Sequence, residues 1–140
     1  MTDQRPVVGT GDSELDQRLS DELDGYNSAA TPGVAPAEEL TVRIEEGGEL
    51  LAGASGWTWG QAAGLAMTWV DAEQRGSGLG SALLDAFENE ARRRGCTHVF
   101  VTSFTFQAPA FYQRNGYREI FRWEAVPTAG LDDVHMRKDL

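Results

Sequence analysis

Arg75-Gly76-Ser77-Gly78-Leu79-Gly80 sets three alternating glycines behind an arginine, between an apolar run ending at Val70 and a stretch of helical periodicity that starts at Leu79. Backbone without Cβ atoms lets amide N–H groups approach an anion closely, and a helix start adds unpaired donors and about half a positive charge. Arg75 supplies a side-chain donor at the same place, and Ser81 lies in the first turn of the helix. The chemistry these residues suit is capture of a phosphate or pyrophosphate; a glycine-rich turn that holds no ligand is the alternative. Two other phosphate motifs do not fit. A Walker loop ends in Gly-Lys-Ser/Thr, whereas the only lysine of this chain is Lys138. A dinucleotide fingerprint counted from Gly76 needs glycine where Ser81 stands, and an acid at a strand end some twenty residues later.

Other candidates for chemistry are sparser. Tyr112, on a short predicted helix, reads by itself as a core residue with a wet hydroxyl. His98 and His135 sit within or beside predicted strands, without a sequence partner that would mark a triad. Cys96 is the sole cysteine, has no metal-ligand spacing around it, and reads as a buried structural thiol at the start of a strand. No metal site is visible.

The elements that must position these groups follow from periodicity. Leu15, Leu19, Leu23 and Tyr26 give an amphipathic helix capped by Asp12 or Ser13. Residues 1–12 read as a loose arm or an irregular edge strand at Pro6-Val7-Val8, and Asn27 to Glu39 as a loop of about a dozen residues. Leu40 to Ile44, Glu49 to Trp59 and Gln61 to Val70 read as three strands of a meander, with Trp57, Trp59 and Trp69 on strands as core residues or as the lining of a substrate cleft. The next helix starts at Leu79 and sets Leu79, Ala82, Leu83, Ala86, Phe87 and Ala91 on one face, with Asp85, Glu88 and Arg92 pointing the other way. Arg92-Arg93-Arg94 and Gly95 suit its C-terminal cap. Thr97 to Thr102 forms a strand, Ala108 to Arg114 a short helix closed by Asn115-Gly116, and Tyr117 to Trp123 and Val134 to Arg137 the last strands. The order predicts an α+β (mixed α/β) domain.

At this point the sequence resembles the GNAT acyltransferases. Trp69 to Leu84 is similar to that family's cofactor motif, Arg or Gln followed by x-x-Gly-x-Gly, with Arg75, Gly78 and Gly80 at the motif positions. Gln107-Ala108-Pro109-Ala110-Phe111-Tyr112-Gln113-Arg114-Asn115-Gly116-Tyr117 is similar to its second signature, a Phe-Tyr helix closing in Gly-Phe or Gly-Tyr. The likeness extends, more weakly, over Leu40 to Leu140. It implies a central mixed, mostly antiparallel sheet flanked by helices, with the CoA site at the strand-to-helix turn near residues 69–81. It also implies one domain over residues 1–140, acetyl-CoA as acyl donor, and no metal. By the family's pattern, backbone groups of Met67 to Val70, Met67, Trp69 and Val70 among them, pair with the pantetheine arm. Arg75, Gly76, Ser77, Gly78, Leu79, Gly80 and Ser81 surround the pyrophosphate. Tyr112 lies beside the thioester sulfur and protonates the departing thiolate, while Tyr117 is packed. Many members carry Pro where this chain has Ala72, a change of loop stiffness rather than of a contact atom.

The implied reaction is direct attack of a neutral amine of a small molecule or protein on the thioester. Its base is left unassigned among Asp24, Glu45, Glu73 and Glu124. A noncatalytic acyl-CoA-binding sensor or interaction module is the alternative function. The chain has 140 residues and a formal net charge of −10, which argues against nucleic acid as a partner. Residues 1–60 carry −9 of that charge, with twelve acids against three arginines, which suits a cationic acceptor. No signal-peptide core opens the chain, and Ala62 to Val70 is far shorter than a membrane span, so the expectation is a cytoplasmic protein, folding alone or as a homodimer.

Overall fold

The computed structural model describes residues 4–140. By contacts the chain forms two units, Met1–Pro36 and Ala37–Leu140. The first holds one helix, α1 (Ser13–Ala30), whose Asp12 side chain accepts a hydrogen bond from the Leu15 amide as N-cap. The helix runs past the expected loop start at Asn27, and no strand forms at Pro6-Val7-Val8. Thr31 ends it, its amide and hydroxyl both donating to the Asn27 carbonyl.

The second unit contains β1 (Glu38–Glu46), β2 (Glu49–Trp59), β3 (Ala62–Val70), α2 (Leu79–Arg93), β4 (His98–Phe104), α3 (Pro109–Arg114), β5 (Arg118–Trp123) and β6 (Asp133–Asp139). The six strands make one sheet in the order β1-β2-β3-β4-β6-β5. Every neighbouring pair is antiparallel except β3 and β4. This is a mixed α+β fold with a mostly antiparallel sheet.

Strand alternation decides what α2 covers. Ala52 and Ala54 of β2, Ala63 and Leu65 of β3, Val99 and Val101 of β4, and Val134 and Met136 of β6 are buried with Leu83, Leu84, Phe87 and Ala91 of α2. Full burial of each large side chain stabilises by about 1.5–3 kcal/mol relative to exposure. The odd positions of β2 fall on the opposite face. Trp57 is therefore 39% exposed and Trp69, paired with Gly53, is 48% exposed, so of the two readings, core or cleft, the core one does not hold for them.

A second correction concerns α2 itself. Glu88 is 2% exposed, not turned to solvent. It stands one helical step from Leu84 and from Ala91, within the buried stripe, where a carboxylate survives only with partners. Tyr117 Oη donates to its Oε2 at 3.0 Å and Lys138 Nζ to its Oε1 at 2.7 Å. Burial first, and the Glu88 charge second, push the Tyr117 phenol far above its usual range, so it stays a donor. Cys96 is buried, its thiol near the Gly60 and Ala62 carbonyls and pushed up by desolvation. At the C-terminus of α2, Gly95 takes the left-handed φ of +91°. Arg94 reaches beyond the cap, donating to the Glu39 carbonyl at 3.0 Å and Thr58 Oγ1 at 3.1 Å, which ties the helix end to β1 and β2. No helix among the described residues is long and apolar enough to cross a membrane.

Candidate active site

The parallel pair β3–β4 is bonded only from Ala62–His98 to Leu65–Val101. Both strands continue, β3 to Val70 and β4 to Phe104, without pairing to each other. At the point of separation β3 carries a bulge: Ser55 faces Met67 and Gly56 faces Leu65, which leaves Ala66 without a partner on β2. Beyond it, the β4-side edge of β3 presents backbone donors and acceptors to a gap in the sheet.

That gap is a cleft of about 1020 Å³. One wall is β3 from Leu65 to Val70, another is Val101, Thr102 and Ser103 of β4, and α3 closes it with Phe111, Tyr112 and Arg114. Its floor is the turn before α2, where Gly78 is the N-cap at φ +88° and no side chain caps the helix. The first bond into the helix is Ala82 N–H to the Gly78 carbonyl, so the amides of Leu79, Gly80 and Ser81 have no protein acceptor among the described residues. Gly80 also permits a close approach: a Cβ there would lie 2.9 Å from the Phe111 ring.

Met67, Trp69, Val70, Arg75, Gly76, Gly78, Gly80, Ser81 and Tyr112 all line the cleft. Ser77 and Leu79 are not part of its lining; the Ser77 hydroxyl turns back to the Gln74 carbonyl. Arg75 Nε donates to the Val70 carbonyl at 3.3 Å, which holds the turn against the end of β3. Tyr112 is 8% exposed and its hydroxyl bonds no protein group of the described residues. Its ring stands edge-on to Phe111 at 5.2 Å and to Tyr117 at 5.8 Å.

Sequence reading missed Arg114, a second guanidinium on the cleft wall with no ion-pair partner among the described residues. It lies inside the second motif, but at a helix end, where a basic residue is explained by the helix dipole alone. Gln74, Phe106 and Gln107 were missed too, because they belong to turns without periodicity. Among the described residues no aspartate or glutamate lines the cleft, although the chain carries −10 overall. Glu45, Glu73 and Glu124 are therefore outside it, Glu45 being bonded to Arg43; Asp24 is on α1, in the other unit. Among the described residues no cluster of His, Cys, Asp and Glu could hold a metal ion.

The β3–β4 pair splays apart, and the uncapped start of α2 and Tyr112 both border the cleft that results. Comparison defines the class: residues 10–117 match the model of the Acetyltransferase (GNAT) family, and the chain belongs to that family. It is similar to the blasticidin-S acetyltransferase of Streptomyces morookaense, 47% identical over 79 residues that span 56% of this chain and 58% of the relative. An acetyltransferase from Bacillus cereus ATCC 14579 has a similar structure, with a TM-score of 0.82, 28% identity, and 96% of this chain and 98% of that one covered. An aminoglycoside 6'-N-acetyltransferase complexed with coenzyme A shares the fold at a TM-score of 0.67 and 16% identity, covering 89% of this chain and 86% of that one.

Proposed function

We propose that this protein transfers an acetyl group from acetyl-CoA to a primary amine of a small molecule by direct attack. The observation that carries this reading is the charge of the cleft. In a chain of net −10, the lining holds two arginines, an uncapped helix start and no carboxylate. That arrangement suits a ligand with a pyrophosphate at one end. The unpaired edge of β3 suits an amide-bearing arm, since such an arm bonds backbone groups as a strand would. Coenzyme A has both parts, and an enzyme of the same fold binds it.

The residues then divide the work. The free amides of Leu79, Gly80 and Ser81, with Arg75 and Arg114, hold the phosphates. Met67, Trp69 and Val70 lend backbone to the arm, and a backbone N–H beyond the Ala66 bulge polarises the thioester carbonyl. Tyr112 protonates the departing thiolate. A blasticidin-S acetyltransferase among the relatives favours a small-molecule acceptor over a protein one.

The test is purified protein with acetyl-CoA and a panel of amines, following free thiol and acetylated product together. Transfer to at least one amine above the uncatalysed rate is expected. Tight CoA binding with no transfer across the panel would instead leave a noncatalytic CoA-binding module.

A further inference from the structure

The proton that the attacking ammonium must lose meets no acid and no histidine in the cleft lining among the described residues. One strand further out stands a pair of residues that can take it. His135 of β6 is the cross-strand partner of Thr102, a cleft residue of β4. Their neighbours in the register, Val101 with Met136 and Ser103 with Val134, are buried on the α2 face. By alternation Thr102 and His135 share the other face, where side chains opposite each other lie about 5 Å apart at Cβ.

His135 Nε2 lies 3.1 Å from Asp133 Oδ2. A carboxylate only accepts, so Nε2 carries a proton, and in the neutral ring Nδ1 keeps its lone pair, with no protein donor on it among the described residues. The other carboxylate oxygen, Asp133 Oδ1, is buried without a hydrogen bond, which leaves the imidazole N–H as the only partner of that carboxylate among the described residues. Phe121 and Trp123 of β5 wall the pair, with ring centroids 5.7 and 5.8 Å from the imidazole. They are 51% and 57% exposed, large for aromatic side chains packed on one another. The other ionisable groups on this face of β6 are Arg137 and Asp139, which bond each other; Arg118 of β5, opposite Arg137, also bonds Asp139, and His98 of β4 stands opposite Asp139, while the remaining facing neighbours from β4 and β5 are Phe100, Thr102, Phe104, Phe121 and Trp123.

Building on the acetyl transfer proposed above, we infer that His135, held by Asp133, takes the proton from the acceptor's ammonium while Phe121 and Trp123 receive the acceptor's cationic and apolar parts. An ammonium N–H bond breaks to His135 Nδ1, and the freed lone pair forms the N–C bond to the acyl carbon. The C–S bond breaks, and the thiolate takes the Tyr112 proton. The adduct's second N–H proton restores that phenol, and the imidazolium returns its proton to solvent. Aromatic faces attract an ammonium, and two rings beside a carboxylate-backed imidazole make a site for an aryl- or alkylamine rather than for an anion.

Two measurements test this separately from the activity. Long-range 1H–15N NMR of the unliganded protein is expected to show the neutral His135 ring protonated at Nε2, and benzylamine is expected to shift the His135 and Trp123 ring signals. A ring protonated at Nδ1, or no response to benzylamine, overturns the inference even if transfer occurs. In steady-state assays His135→Gln is expected to lower kcat/KM roughly 10²-fold for alkylamines that are ammonium ions at neutral pH, and only a few-fold for hydroxylamine, which is already neutral. The CoA-induced rise in melting temperature should not change. Equal losses for both acceptor types would mean a structural role and sink the assignment. Absence of transfer by the unaltered protein would refute the proposed function, while the NMR experiment would still decide the role of His135.

Discussion

Lys138 Nζ and Glu88 Oε1 meet at 2.7 Å across fifty residues of chain, joining the last strand to the middle of α2. Glu88 is 2% exposed and the Lys138 side chain 22%, so this pair is a structural joint rather than a surface contact. The Lys138 ammonium also lies 5.7 Å from the centre of the Tyr117 ring, whose hydroxyl holds the other Glu88 oxygen. Removing one partner of such a pair leaves a buried charge uncompensated.

Lys138→Met is therefore expected to destabilise the fold by about 3 kcal/mol in thermal or urea unfolding. Glu88→Gln added to it should restore most of that loss, because an amide still accepts from Tyr117 and carries no charge. Additive losses in the double variant would mean that the ammonium does not answer the Glu88 charge.

This joint also marks where sequence reading stopped. Leu83, Leu84, Phe87 and Ala91 repeat with helical period, and the strands from Leu40 to Val70 alternate between turn residues, so the elements were legible from one-dimensional pattern. The glycine turn was legible because Gly78 needs a positive φ. Glu88 was misplaced because its polarity outweighed its position, and its partner is fifty residues away. The His135–Asp133 pair left a weaker trace: residues two apart on a strand share a face, but the last strand was expected to begin at Val134, which hid Asp133. Whether Trp57 and Trp69 belong to the core or to a cleft was not legible, since aromatic content alone does not say which face of a sheet is covered.

Gly78→Glu is expected to abolish stabilisation by CoA. A Cβ at Gly78 meets nothing within 4 Å, so the variant folds with a modest strain cost at its positive φ. Its carboxylate would stand before the amides of the α2 start and repel pyrophosphate. The unaltered protein at a hundredfold excess of CoA over Kd should gain about 2.7 kcal/mol, and Gly78→Ala should retain much of that gain. Equal CoA affinity in folded Gly78→Glu would remove the turn from the site.

Tyr112→Phe is expected to leave CoA affinity nearly intact and lower turnover by roughly 10²-fold, the usual size of one lost general acid. The ring contacts with Phe111 and Tyr117 survive the change. Stopped-flow release of thiol across neutral to alkaline pH would check it. Unaltered turnover throughout would show that solvent protonates the thiolate.

Acid should loosen the end of α2. The hydrogen bond from Arg93, aided by Arg94, holds the Glu90 carboxyl down to about 2 from its ordinary 4.5. A depressed folded value means that the contribution is full above the ordinary value and is lost as pH falls through about 2. Glu90 is open to solvent, so the effect is small and screened by salt. Glu90→Gln should melt slightly lower than the unaltered protein at neutral pH and converge with it near pH 2. A gap that persists there would point to lost packing instead of lost charge.

The last expectation concerns the acceptor's charge. Glu38, Glu39, Glu45 and Glu46 crowd edge strand β1, and Glu49 opens β2. Beside them runs a shallow groove of about 330 Å³ that shares Met67, Thr68 and Trp69 with the main cleft. A negative field along this edge raises the concentration of cationic amines around the protein, while the arginine-bearing cleft keeps the anionic donor at its own end. Cationic acceptors should therefore show higher kcat/KM than neutral or anionic ones of similar nucleophilicity. Their advantage should shrink as salt shortens the screening length from about 8 Å at physiological ionic strength. Reversing Glu45 and Glu46 to lysine should remove most of the salt dependence without changing acetyl-CoA affinity. A preference for neutral acceptors, or rates for cationic ones that ignore salt, would show that the acidic edge serves solubility and does not select substrate.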